Sequence, residues 1–196
     1  MISCLLLSAG LSSRFGTPKA LAKFGQETVI EYLQKKILST AVSEIVIVLG
    51  ADAHAIKPYL LKHEQIKVVY NKDYNLGQTS SFQTGLRDIS PDAAGFMLWP
   101  VDYPLIKTET VDLLSRYFVK NIPEILIPVF NNKRGHPPVF HNRLKNEFLK
   151  LDHSVGVNTV AHTRAKNVVE LAVDDEFILK SFNTREEFDA LKKHRL

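Results

Sequence analysis

The chain opens with an apolar run, Ile2 to Leu7, that ends abruptly in small residues, Ser8-Ala9-Gly10-Leu11-Ser12-Ser13. A short continuous apolar run of this kind reads as a strand buried on both faces. Such strands belong to parallel sheets, and the loop that leaves one lies at the carboxyl edge where ligands bind. Small residues let backbone approach a ligand closely, and successive N–H groups can line an anion-binding concavity. Arg14 and Lys19 follow the turn and add fixed positive charge. A simple turn needs neither cation, so the loop suits a polyphosphate.

Three familiar loops do not fit. A P-loop requires Lys directly after its second glycine, yet Thr17 follows Gly16. A dinucleotide fingerprint requires glycine at position 12, which is Ser12, and a nucleophile elbow requires glycine where Arg14 stands.

The rest of the chain alternates apolar runs with helical periodicity. Helices are expected over Glu27–Thr40, from Asp52 towards Leu61 with Pro58 disturbing the middle, over Thr79–Asp88, and from a Thr108 cap to Lys120. Strands are expected over Ile45–Leu49, Lys67–Tyr70, Gly95–Trp99 and Glu124–Pro128. After residue 130 the rhythm changes. A short strand at Pro138–Phe140 precedes helical stretches at Arg143–Leu151 and Val155–Thr163, a strand at Val168–Val173 and a closing helix at Thr184–Lys193. The alternation predicts an α/β fold with an open, mostly parallel, Rossmann-like sheet flanked by helices. With 196 residues and no Gly/Ser-rich linker, residues 1–196 form a single expected domain. It divides into halves of about 1–105 and about 106–196.

Composition narrows the function class. The single cysteine, Cys4, lies in the first strand, which excludes a disulfide framework and points to a structural thiol. The N-terminal run is too short for a signal peptide and no stretch approaches a membrane span, so a cytoplasmic protein without a membrane partner is expected. The net charge of +4 is dispersed apart from the tail Lys192-Lys193-His194-Arg195, which a helix end explains, so no nucleic-acid partner is expected.

The segments following the strands carry the polar chemistry. Pro100-Val101-Asp102-Tyr103-Pro104 brackets one carboxylate between prolines. Beside a triphosphate it is a natural Mg²⁺ ligand, because Mg²⁺ takes one or two carboxylates plus phosphates and water. Asn71 follows the Lys67–Tyr70 strand, and Gly77-Gln78-Thr79-Ser80-Ser81 opens a helix whose free N–H groups can read a base or ribose. Arg134-Gly135-His136-Pro137 follows the fifth strand. Asn183-Thr184-Arg185-Glu186-Glu187 contains a capping box, Thr184 with Glu187. His153 and His162 show no metal-ligand spacing.

The loop pattern L-x-A-G-x-S-x-R-x-G-x-P-K resembles the signature of the MobA-like nucleotidyltransferases, the molybdenum-cofactor guanylyl- and cytidylyltransferase type. The resemblance implies the nucleotide-diphospho-sugar transferase type of fold, with nucleotide binding in the half of about 1–105 and acceptor binding in the half of about 106–196. It implies that Ser8, Ala9, Gly10, Leu11, Ser12 and Ser13 contact a nucleoside triphosphate, with Asn71, Thr79, Ser80 and Pro100 completing that site. Arg14 and Lys19 would hold phosphate charge and, with Asp102, act catalytically. The P-x-D-x-P setting implies that Asp102 binds Mg²⁺. Asn183 opens a segment similar to the family's N-T-P-E-E motif, near the metal, with Arg185 where the family has proline. Gly135 and His136 match the family's G-H-P or G-N-P loop, near the acceptor. The family often carries arginine where Asn158 stands. Ala9 in Leu7-Ser8-Ala9-Gly10 is similar to the cytidylyl branch, L-A-A-G, and implies CTP over GTP. The implied reaction moves a nucleoside monophosphate to a phosphorylated acceptor such as molybdopterin, with a transient molybdoenzyme or chaperone partner. A sugar 1-phosphate acceptor is the enzyme alternative, and a non-catalytic nucleotide-binding factor for molybdoenzyme maturation the alternative of another class.

Overall fold

A computed structural model describes residues 1–194, so Arg195 of the basic tail lies outside the described residues. Its strands are β1 (Ile2–Ser8), β2 (Lys23–Phe24), β3 (Glu27–Thr28), β4 (Glu44–Leu49), β5 (Ile66–Tyr70), β6 (Gly95–Pro100), β7 (Ile125–Phe130), β8 (Lys133–Arg134), β9 (Val139–His141) and β10 (Val168–Ala172). Its helices are α1 (Val29–Leu38), α2 (Ala53–Ile56), α3 (Gln78–Asp88), α4 (Thr108–Asn121), α5 (Lys145–Leu149), α6 (Asn158–Thr163) and α7 (Arg185–Lys192).

The main sheet runs β10-β7-β9-β6-β1-β4-β5, with β8 added to β7. Strands β6, β1, β4 and β5 are parallel, as are β7 and β10. The short β9 lies antiparallel between β6 and β7. It completes the mostly parallel sheet and carries the chain back past the carboxyl edge.

Every residue of β1 is buried, because the strand is covered on both faces. Ile2, Cys4 and Leu6 face a core shared with α1, α4 and α7, while Leu5 and Leu7 face one shared with α3, α5 and α6. This period-2 split makes three layers, helix–sheet–helix. The second core is aromatic: Phe82, Phe96, Phe140 and Phe148 pack with centroid separations from 4.8 to 6.4 Å. Burial pushes the Cys4 thiol above its usual range, which leaves it protonated and inert. Among the described residues no helix is long and apolar enough to cross a membrane.

Several boundaries differ from the sequence expectation. Helix α1 begins at Val29 because Thr28 caps it reciprocally with Glu31, and Glu27 pairs in the β2–β3 ribbon. Hydrogen bonds from Thr28 hold the Glu31 carboxyl below the usual carboxylate range. Asp52 sits at the N-cap position of α2 but its side chain makes no cap bond, and the helix tightens to a 3₁₀ turn at Lys57–Tyr59, where Pro58 stands. Thr108 is the first residue of α4 and does not cap it. Asp175, 1% exposed, does that work from far along the chain: its Oδ2 accepts from the Lys107 N–H and the Thr110 hydroxyl, each at 2.8 Å. The Arg143–Leu151 and Val155–Thr163 stretches yield only the short α5 and α6.

Candidate active site

The loop after β1 is shaped by its own backbone. Ser12 adopts a left-handed conformation, φ 51°, and its carbonyl accepts from the N–H groups of Phe15 and Gly16. Ser12 Oγ accepts from the Lys19 N–H at 3.2 Å. Phe15 points inward and packs edge-on against Phe182 and Phe188, with centroids 5.3 and 5.6 Å away. That anchor leaves Arg14 and Lys19 on the cavity side. The loop also lies hard against the end of β4: a side chain at Gly50 would meet the Ala9 carbonyl at 2.4 Å.

A cavity of about 260 Å³ opens at the carboxyl ends of β1 and β6. It is lined by Ser8, Ala9, Gly10, Ser12, Ser13, Arg14 and Lys19 from the loop, and by Pro100 and Asp102 after β6. Asn183, Asp52, Gln78 and Ser81 also line it. The central contacts are tight. Lys19 Nζ donates to Asp102 Oδ2 and to Asn183 Oδ1, both at 2.9 Å. Arg14 Nη2 donates to the same Asn183 oxygen at 2.9 Å. Two cations and two carboxylates, Asp52 and Asp102, leave this lining formally neutral. A bound polyphosphate therefore needs an added positive charge.

Four of the expected nucleotide contacts do not face this cavity. Leu11 is exposed at the loop's tip. Asn71 is buried and donates to Ser80 and Ser81 hydroxyls at 3.0 Å. Thr79 donates to the Val155 carbonyl at 2.6 Å, and Ser80 to the Asp73 carbonyl at 2.9 Å. Their polar atoms fix the α3 entry instead. Gln78 and Ser81 line the cavity in their place. They stand three apart on one helical face, a spacing the sequence displays and which excludes Thr79 and Ser80.

The oxygen donors gathered around Lys19 Nζ are the Asp102 carboxylate and the Asn183 amide. Among the described residues no three His, Cys, Asp or Glu side chains cluster as a metal cage. This set fits a hard divalent cation held mainly by a ligand's phosphates. Asp102 suits that role. Asn183 suits it less, because its Oδ1 already accepts from two cations.

A second cavity, about 550 Å³, adjoins the first, and Gln78 lines both. Apolar walls from Leu98, Ile127, Phe140 and Val157 face Arg134, Gly135, His136, Asn158 and His162. Gly135 is a close-approach position, where a Cβ would meet Ile178 Cγ1 and the Ile178 carbonyl at 2.6 Å. The His136 N–H donates to that carbonyl at 2.9 Å, and the His136–Pro137 peptide is cis. The His136 ring packs against Tyr103 at a 42° tilt, with centroids 4.5 Å apart. Its Nδ1 is buried without a hydrogen-bond partner among the described residues. Burial pushes the imidazole below its ordinary value, against opposing effects of a backbone bond at Leu98 and the Asp102 charge. His136 is thus a neutral group near pH 7. Burial, with the Asp102 charge, pushes the Tyr103 phenol up.

A mostly parallel α/β sheet with a cationic loop and the Asp102 carboxylate at its carboxyl edge is the frame of a nucleotide-binding protein. The family model of the MobA-like NTP transferase domain matches residues 4–168, and the chain belongs to that family of nucleotidyltransferases. A "Probable molybdenum cofactor guanylyltransferase" of Bacillus mycoides (strain KBAB4) is 29% identical over 150 residues, covering 75% of this chain and 72% of the relative. Rv0371c from Mycobacterium tuberculosis H37Rv superposes over 100% of both chains with a TM-score of 0.86 and 25% identity. A further structure of that protein is a complex with manganese, with a TM-score of 0.81 and 23% identity, covering 99% of each chain. The 4-diphosphocytidyl-2C-methyl-D-erythritolsynthase from Anaerococcus prevotii shares the fold, with a TM-score of 0.76 at 16% identity over 99% of this chain and 95% of that one.

Proposed function

We propose that the chain transfers a nucleoside monophosphate from a nucleoside triphosphate to a phosphorylated small-molecule acceptor, releasing diphosphate. The observation that carries this reading is the joined Arg14–Asn183–Lys19–Asp102 cluster beside a second cavity, with Gln78 at their seam. The triphosphate lies in the loop cavity, where Arg14, Lys19 and the loop N–H groups neutralise and hold it. The acceptor enters the larger cavity beside Gly135 and His136. An oxygen of its phosphate attacks the α-phosphorus, and the bond to the departing diphosphate breaks. The attacking oxygen is already anionic, so no strong base is required, and positioning and charge neutralisation supply the rate. Asp102 would hold Mg²⁺, which would supply the missing positive charge. The manganese complex of the Rv0371c protein supports a divalent ion in this fold. Neutral His136 contributes a hydrogen bond to the acceptor, not a charge.

CTP is the nucleotide that Ala9 supports. The guanylyltransferase names of the relatives support GTP instead. Titration with both nucleotides and Mg²⁺ separates the two readings, and a clear GTP preference reverses the first while leaving the transferase intact. Molybdopterin is the acceptor that those names support, with a sugar 1-phosphate as the alternative. Screening nucleotides against phosphorylated acceptors for Mg²⁺-dependent diphosphate release tests the proposal, and its failure with every pair leaves a binding factor.

A further inference from the structure

Residues 183–185 touch the β1 loop at Arg14, Phe15, Thr17 and Lys19. Asn183 Oδ1 is the shared acceptor for Arg14 and Lys19. Arg185 Nη2 donates to Thr17 Oγ1 at 3.0 Å, and its guanidinium lies 4.9 Å from the centre of the Phe15 ring. Phe182 and Phe188, on either side of the segment, grip the same ring. The capping box of Thr184 and Glu187 fixes the direction in which α7 leaves. None of these contacts requires a ligand.

We infer that Asn183 and Arg185 are positioning residues that pre-set the loop for the triphosphate. This rests on the nucleotide reading above. Asn183 holds two like-charged side chains side by side against their mutual repulsion. Because the amide is neutral, it does so without adding a negative charge beside the phosphates; aspartate there would lower the net charge of the cluster by one. Arg185 braces the Thr17 side chain, which follows Gly16 in its left-handed conformation and precedes Lys19 by two residues. A pre-set loop loses less conformational freedom on binding, which raises affinity without adding a contact to the ligand.

The test is titration of CTP and of GTP, without acceptor, with and without Mg²⁺, alongside thermal unfolding. Arg185 is the first residue of α7, a position where proline is well tolerated, so Arg185→Pro removes the brace and keeps the helix. Arg185→Pro should weaken nucleotide binding about fivefold, the size of one net hydrogen bond, with an unchanged melting temperature. Thr17→Ala removes the same contact from the other side. It should have a similar effect, and the double variant should be no worse than either single one. Asn183→Asp should weaken binding about tenfold or more in Mg²⁺-free buffer and recover part of it as Mg²⁺ is added. Wild-type affinity in Arg185→Pro and in Asn183→Asp overturns the inference while leaving the nucleotide site standing. Absence of binding of either nucleotide by the unaltered protein overturns both.

Discussion

Lys19 Nζ and Asp102 Oδ2 stand 2.9 Å apart, joining the loop after β1 to the turn after β6 at the floor of the cavity. Their side chains are 14% and 20% exposed, so the pair is neither fully solvated nor sealed. Such a pair contributes about 1 kcal/mol to stability. Asp102→Ala should therefore leave the fold intact while lowering transfer by about a hundredfold or more, because the cation site and the partner of Lys19 vanish together. Circular dichroism beside a diphosphate-release assay checks this. Turnover near the wild-type rate with Mg²⁺ would remove Asp102 from the mechanism.

Arg14 and Lys19 share one acceptor and differ in chemistry. Arg14→Ala and Lys19→Ala should each raise the Kd for the triphosphate or lower kcat/KM about a hundredfold. Arg14→Lys should be impaired as well, since a point charge does not reproduce the planar fork. Unchanged nucleotide affinity in both alanine variants would show that the loop does not hold phosphates.

His136 gives a pH signature. Its folded-state value is held below the ordinary one, so between the two values the unfolded chain binds more protons than the folded one. Stability is complete above about pH 6.5 and declines as pH falls through the window below it. His141 is lowered in the same direction, by burial and by Arg143, so the wild type minus His136→Gln difference isolates His136. Urea unfolding between pH 5 and 8 should show a shallower acid-side loss in the variant. Parallel curves would mean that the imidazole titrates normally. In transfer assays His136→Ala should slow turnover at limiting acceptor more than it weakens nucleotide binding.

Gly135→Ala tests the acceptor cavity's frame. The new methyl meets the backbone carbonyl of Ile178, which cannot swing aside as a side-chain tip can. A loss of about 1–3 kcal/mol is expected, with nucleotide binding retained. A melting temperature within a degree of wild type would show that the turn after β8 yields easily.

Much of this architecture was legible because its causes are local. The buried run of β1, the Thr184–Glu187 box, and the Pro-bracketed Asp102 each declare themselves within a few residues. What stayed hidden depends on distant partners. Thr108 looks like the cap of α4, yet Asp175 takes that role after a crossover no local pattern announces. Asn71, Thr79 and Ser80 carry the right atoms for a nucleotide but spend them on one another and on nearby carbonyls. Gln78 gave no signal by type, and only helical phase with Ser81 points to it. Asp175→Ala should cost about 2 kcal/mol by urea unfolding and leave the nucleotide Kd unchanged. No change in stability would mean that water replaces the cap.

Diphosphate release, followed with CTP or GTP, Mg²⁺ and a panel of phosphorylated acceptors including molybdopterin, tests the central claim most directly. The predicted result is release that requires Mg²⁺ and an acceptor phosphate together, and that disappears in Asp102→Ala. Tight nucleotide binding with no release for any acceptor would contradict it, and would leave a protein that holds a triphosphate without transferring it.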